Sequence, residues 1–97
     1  MLYRWDDLSL EKVTEMVSRK VIAAGGSRLT QAYFKKGALV PLHTHTEDLT
    51  VYVLQGALRA HIEGEDVTVR EGEVIILPAG APHHAESLDD TFVMTFV

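Results

Sequence analysis

The chain has no cysteine among its 97 residues. Disulfides, thiolate metal sites and cysteine nucleophiles are therefore excluded, and a reducing compartment fits. Long apolar runs are also missing, and none approaches the length needed to cross a bilayer. The opening stretch Met1-Leu2-Tyr3-Arg4-Trp5-Asp6-Asp7 lacks the apolar core of a secretory signal. A cytoplasmic protein with no membrane partner is the expectation. Positive charge is scarce: 9 Lys and Arg face 14 Asp and Glu, for a net charge of −5. With no basic stripe, nucleic acid is not an expected partner.

What is present suits one small domain spanning residues 1–97. A domain of this size buries only about two thirds of the surface its unfolded chain exposes. Pairing with a second copy would enlarge that modest core, so a homodimer is expected. Trp5 and Leu8, apolar anchors among acids, are candidates for the contact.

Short strands dominate the pattern. Residues 10–16 have two readings: a short helix capped by Ser9, or chain leading into a strand near Met16. The β-branched Val17, Val21 and Ile22 favour a strand over 17–24, and Gly25-Gly26 reads as a hairpin turn. A second strand over 28–35 sets Leu29, Gln31 and Tyr33 against Thr30, Ala32 and Phe34. Residues 39–45 are extended, with Pro41 suiting an edge or a strand start. Strands follow over 50–54 and 57–63, the latter setting Leu58, Ala60 and Ile62 against Arg59, His61 and Glu63. Val67 and Val69 belong to the next. Residues 74–77 are wholly apolar, as in a strand buried on both faces. The turn Pro78-Ala79-Gly80-Ala81-Pro82 leads to a strand over 83–86. A last strand over 91–97 sets Phe92, Met94 and Phe96 on one side, where core packing is expected. Many short strands divided by Gly and Pro predict an all-β sandwich or barrel. No repeat, linker or low-complexity segment interrupts it.

Within this pattern His43-Thr44-His45 carries the clearest chemistry. Histidines at i and i+2 on an extended strand point to one side, and two such imidazoles can grip one divalent ion. His83, after the Pro-rich turn, is a possible third donor. His61 reads as a surface residue. His84, next to His83, must point the opposite way and is expected outside any pocket.

The stretch Gly37-Ala38-Leu39-Val40-Pro41-Leu42-His43-Thr44-His45, closing at Gly56, resembles the first motif of the cupin superfamily. Gly72-Glu73-Val74-Ile75-Ile76-Leu77-Pro78-Ala79-Gly80-Ala81-Pro82-His83 resembles the second, which runs to about residue 87. The resemblance covers about residues 28–97. It implies a double-stranded β-helix, or jelly-roll barrel, preceded here by a short N-terminal extension. It also implies a metal held by three histidines, matched by His43, His45 and His83, and by one carboxylate or amide. That fourth position falls on Leu49, which has no lone pair to offer. Three outcomes stay open: a three-histidine site, a substitute ligand from Glu47 or Asp48, or lost metal affinity. Glu47 shares the parity of the two histidines and is the better substitute. Where the second motif usually ends in Asn, this chain has Ser87, a change expected to touch a turn.

Neutral imidazoles suit Fe, Ni, Mn, Zn or Cu. Three of them leave the ion its full charge, which favours a small anionic chelating substrate. The resemblance implies a metal-dependent enzyme, either a dioxygenase or an isomerase or ring-opening enzyme acting on a small sugar acid. A non-catalytic module that binds a small ligand, with or without metal, is the alternative; a structural barrel without turnover is a third. Glu47 is the one candidate for a catalytic base. Gln31, Tyr33, Leu49, Phe92 and Met94 are candidate pocket residues, with strand or core packing the competing reading for Tyr33, Phe92 and Met94. Arg19, Arg28 and Arg59 could each meet an anion, with plain surface placement as the alternative.

Overall fold

Two glycines in the left-handed region, Gly25 at φ 58° and Gly26 at φ 83°, reverse the chain between its two longest strands. Strand β2 (Val17–Ala24) and strand β3 (Ser27–Phe34) pair along their whole length, from Val17↔Phe34 to Ala24↔Ser27. The computed structural model describes residues 1–97, and every long element in it is a strand. A single 3₁₀ turn, Trp5–Asp7, and the two-residue β1 (Glu11–Lys12) precede this hairpin. After it come β4 (Leu39–His43), β5 (Leu49–Gln55), β6 (Ala57–Ile62) and β7 (Glu65–Arg70). Then follow β8 (Val74–Leu77), β9 (His83–Ser87) and β10 (Thr91–Phe96).

The strands form a six-stranded sheet ordered β1-β2-β3-β10-β5-β8 and a four-stranded sheet ordered β4-β9-β6-β7. All pairings are antiparallel, and the architecture is the expected jelly-roll barrel. No helix is long and apolar enough to cross a membrane.

Register decides which side chains meet between the sheets, because partners across an antiparallel pair share a face. Val93 of β10 is opposite Ala32 of β3 and Val53 of β5, and all three are buried. They join Val51, Leu58, Val69 and Leu77 in the core, with Phe34, Leu49, Ile62 and Ile75 packed around it. Val53 and Val93 are 0% and 1% exposed. Burying each contributes about 1.5–3 kcal/mol.

Two expectations need correcting, and one choice left open is decided. The face carrying Phe92, Met94 and Phe96 is the outer one, since Val93 between them points into the core. Strand β8 is not buried on both faces: Val74 is 56% exposed and Ile76 58%, because both point to the outer face of the sheet, where Tyr52, the partner of Val74, is exposed as well. Residues 10–16 form no helix. Glu11 and Lys12 add a rung to the edge of β2, and Val13 and Thr14 donate backbone N–H groups to Val17 O at 2.9 and 3.1 Å. Leu10 and Val13 stay exposed, so a helix there would have had no apolar face to bury.

The N-terminal segment is tied to its own sheet. Lys20 Nζ donates to Trp5 O at 3.0 Å and lies 5.8 Å from the Trp5 ring centroid. Trp5 and Leu8 are thereby half-buried within the protomer. At the other end, Gly56 closes the β5–β6 turn at φ 87°, where a Cβ would stand 2.5 Å from Asp90 O. Ser87 locks the turn against it, donating to Asp89 O at 2.6 Å and contacting Thr91 Oγ1 at 3.0 Å. The Ser in place of Asn thus serves this turn.

Candidate metal centre

The inner face of the four-stranded sheet begins with hydrocarbon. Leu58, Ala60 and Ile62 of β6 lie opposite Ser87, Ala85 and His83 of β9. His83 therefore shares the face of the core residue Leu58, and it is 4% exposed. Its neighbour His84 pairs with His61 on the outer face, where the two rings stack with centroids 4.8 Å apart.

A bulge brings His43 to the same inner face. Val40 pairs with Ala85 and His43 with His83, so β4 spends one more residue than β9 over this interval. Without that extra residue, alternation would send His43 outward. The interval holds Pro41, which has no N–H to give a ladder and is at home on an edge strand or in a bulge. Its carbonyl is used instead: His43 Nδ1 is 2.7 Å from Pro41 O. A proline two residues before the first histidine was the available signal for this bulge. Reading 39–45 as simply extended missed it.

His45 follows just beyond β4. Its loop is fastened to the Pro-Ala-Gly turn, where Gly80 N donates to His45 O and Ala79 N to Asp48 Oδ1, each at 2.8 Å. These ties hold the two sequence motifs together. Asp48 is thereby tied to the turn through Oδ1 and is not among the clustered donors.

The three rings converge. His43 Nε2 and His45 Nε2 are 3.0 Å apart, and one ligand nitrogen from each of His43, His45 and His83 lies within 4.8 Å of the others. His83 Nδ1 is 3.1 Å from Ala81 O. On both His43 and His83 a backbone carbonyl thus engages Nδ1, which orients the rings and leaves Nε2 as the free donor. Ligands about 2.0–2.1 Å from one ion and roughly perpendicular stand about 3 Å apart, which is the His43–His45 spacing, and with His83 close by the cluster could hold a divalent transition metal. Burial, then the neighbouring His43 and His83, hold the His45 imidazole below its ordinary pKa. That keeps it in the neutral form a metal requires.

The remaining candidates divide. Leu49 pairs with Leu77 and packs against the core, leaving the donor set without a carboxylate. Glu47 is exposed and outside the donor cluster, but it lines a cleft of about 280 Å³ with His45, Arg28, Gly26, Thr46 and Val97. Gln31, Tyr33, Phe92 and Met94 are not brought to the histidines. They occupy the outer face of the six-stranded sheet, where Tyr33 and Phe92 meet edge to face at 4.3 Å. None of the four therefore stands beside the three histidines. Tyr33 and Phe92 do border a larger cavity, about 570 Å³, at the far end of β3 from Arg28. That cavity contains none of the three histidines, so its size does not make it the site. Arg19 pairs with Glu11 at 3.1 Å and Arg59 pairs with Glu86.

Fold and site together define a small jelly-roll barrel protein with three histidines gathered on its inner wall. The family model described as a cupin domain matches residues 31–97, and the chain belongs to that family. It is similar to KdgF from Halomonas sp., with 25% sequence identity and a TM-score of 0.89 over 99% of this chain and 90% of that one. An RmlC-like cupin from Shewanella frigidimarina shares the fold at a TM-score of 0.90 and 17% identity, covering 98% of this chain and 86% of that one. Oxalate decarboxylase from Bacillus subtilis, described with Mn(II) centres, matches at 0.82 and 20% identity over 97% of this chain and 28% of that one.

Proposed function

We propose that the chain is a metal-dependent enzyme whose metal is held by His43, His45 and His83 and whose substrate is a small anionic molecule. The convergence of three imidazole nitrogens within 4.8 Å, with no carboxylate among them, carries this reading. A divalent ion held there would supply Lewis-acid chemistry or, if iron, dioxygen chemistry. The neutral donor set leaves it a full double charge, which favours an anionic chelator such as an enolate or carboxylate. The reaction is of the dioxygenase type or of the isomerase or ring-opening type on a small sugar acid. Glu47, exposed on the cleft beside His45, is the chain's candidate for moving a proton.

The test begins with untagged protein: metal content, then oxygen consumption and turnover across a panel of small organic and sugar acids. One equivalent of bound metal with turnover of a panel member supports the reading. Protein without metal affinity refutes it. One observation favours a second reading, a binding module without turnover: the one acid on the cleft beside the histidines, Glu47, is exposed and outside the donor cluster. Stoichiometric ligand binding with no product would establish that alternative.

We further propose a homodimer formed through the outer face of the six-stranded sheet. Tyr52, Val74, Ile76 and Phe96 are 38%, 56%, 58% and 43% exposed on that face. Apolar side chains exposed on one sheet face support this reading. Sedimentation should show a dimer that Ile76→Glu dissociates, and a wild-type monomer at micromolar concentration would refute it.

A further inference from the structure

The cleft beside His45 holds one positive side chain and one negative one, Arg28 and Glu47. Arg28 is mounted firmly. Its N–H donates to Val97 O at 3.3 Å and its carbonyl accepts from Val97 N at 3.1 Å, while Ala23 pairs with it from β2. It shares the parity of Thr30 and Ala32, both core-facing, so its side chain leaves β3 on the barrel's inner side. Of the three arginines that could meet an anion, Arg19 and Arg59 already hold carboxylates, Glu11 and Glu86. Arg28 has no ion pair and no side-chain hydrogen bond.

We propose that Arg28 is the carboxylate anchor of this cleft, and that Arg28 and Glu47 together select a hydroxylated monocarboxylate. The inference rests on the reading that the adjoining histidines hold the metal. A guanidinium offers a carboxylate two parallel N–H donors, a geometry an ammonium cannot reproduce. Glu47 repels a second negative charge in the same small cleft but accepts hydrogen bonds from hydroxyls. A ligand with one carboxylate and several hydroxyls satisfies both residues and still has oxygen to present toward the histidines. A dicarboxylate or a phosphate dianion does not.

D-Glucuronate, D-glucose and the dianion D-glucarate are the probes, titrated calorimetrically into zinc-loaded and zinc-free protein. Wild type should bind glucuronate at least about tenfold tighter than glucose, and tighter than glucarate. Arg28→Gln should lose most of the preference over glucose with zinc content unchanged, and Arg28→Lys should keep part of it. A preference that survives in Arg28→Gln, or that wild type never shows, overturns the anchor. Tighter binding of glucarate overturns the role given to Glu47. Failure to load zinc refutes the metal reading alone, because the zinc-free titrations still report whether Arg28 holds the carboxylate.

Discussion

His83 and His84 are consecutive residues on one strand, yet they belong to two different groups of histidines. Inside, His83 meets His43 and His45 with ring centroids 4.3 and 5.1 Å away. Outside, His84 stacks on His61, whose Nδ1 is 2.8 Å from Asp66 Oδ1. In each group Nδ1 is tied down on some rings, His43 and His83 inside and His61 outside, leaving Nε2 of those rings for other partners. The groups differ in what meets the free nitrogens. Inside, a bulge and a fastened loop deliver a third imidazole from a distant segment into partial burial. Outside, His84 is exposed and His61 half-buried, and the nearest carboxylate is already engaged. Residue type is the same on both sides, and convergence separates a candidate site from a surface pair.

The largest effect should come from breaking that difference with neighbouring substitutions. His83→Ala removes one of three donors and should lower metal affinity by about a hundredfold or more. His84→Ala should leave it within about twofold. Competition with a colorimetric chelator, on untagged protein, measures both. Equal losses in the two variants would mean that the inside and outside assignments are wrong.

Much of this was legible in the chain itself, for physical reasons that can be named. Alternation over 57–62 and the adjacency of His83 and His84 give correct faces because strand parity is strict wherever a ladder is regular. The two motifs locate the three histidines because turn glycines and prolines fix the spacing between them. The outer face was misread at Phe92 and Met94, where large apolar side chains look like core. The small Val93 and Thr91 are in fact inside, and the barrel's narrow interior has room for them. Apolar β8 was misread for a related reason, since Val74 and Ile76 also belong to the outer face, which an unbroken apolar run does not reveal. Pro41 was noticed as a ladder breaker, but its consequence depends on the partner strand, which no local pattern reveals. Arg28 was indistinguishable from Arg19 and Arg59 until their partners were visible.

Leu49 sharpens the contrast by a smaller amount. It fills the place where a fourth ligand is usual in the family resemblance, and it packs against the core rather than facing water. Leu49→Glu should raise metal affinity by about tenfold or more, or roughly 1.4 kcal/mol, as a carboxylate joins three neutral donors. The same change should destabilise the metal-free protein, because a carboxylate then stands against hydrocarbon without a partner. Thermal melts with and without zinc separate the two effects. An unchanged affinity would show that residue 49 does not face the histidines.

The smallest effect concerns protons, and it falls in different pH ranges on the two sides of the sheet. In metal-free protein His45 has a lowered pKa, through burial first and then its two histidine neighbours. Above about pH 6.5 it is neutral both folded and unfolded and contributes nothing to pH dependence. Below that, the unfolded chain takes up the proton more readily than the folded one. Stability therefore declines as pH falls from about 6.5 to the lowered folded value, and then levels off. Outside, the His61 hydrogen bond holds the Asp66 carboxyl below its ordinary value. Its contribution is present above about pH 3.9 and is lost as pH falls through the depressed folded value. Melting curves in chelator from pH 3 to 8 should then show a difference between wild type and His45→Asn that develops in mild acid. The difference between wild type and Asp66→Asn should stay constant there and shrink only in strong acid. A His45→Asn difference that is flat across mild acid would mean the His45 ring is fully solvated. The inner cluster would then lack the partial burial that distinguishes it from the outer pair.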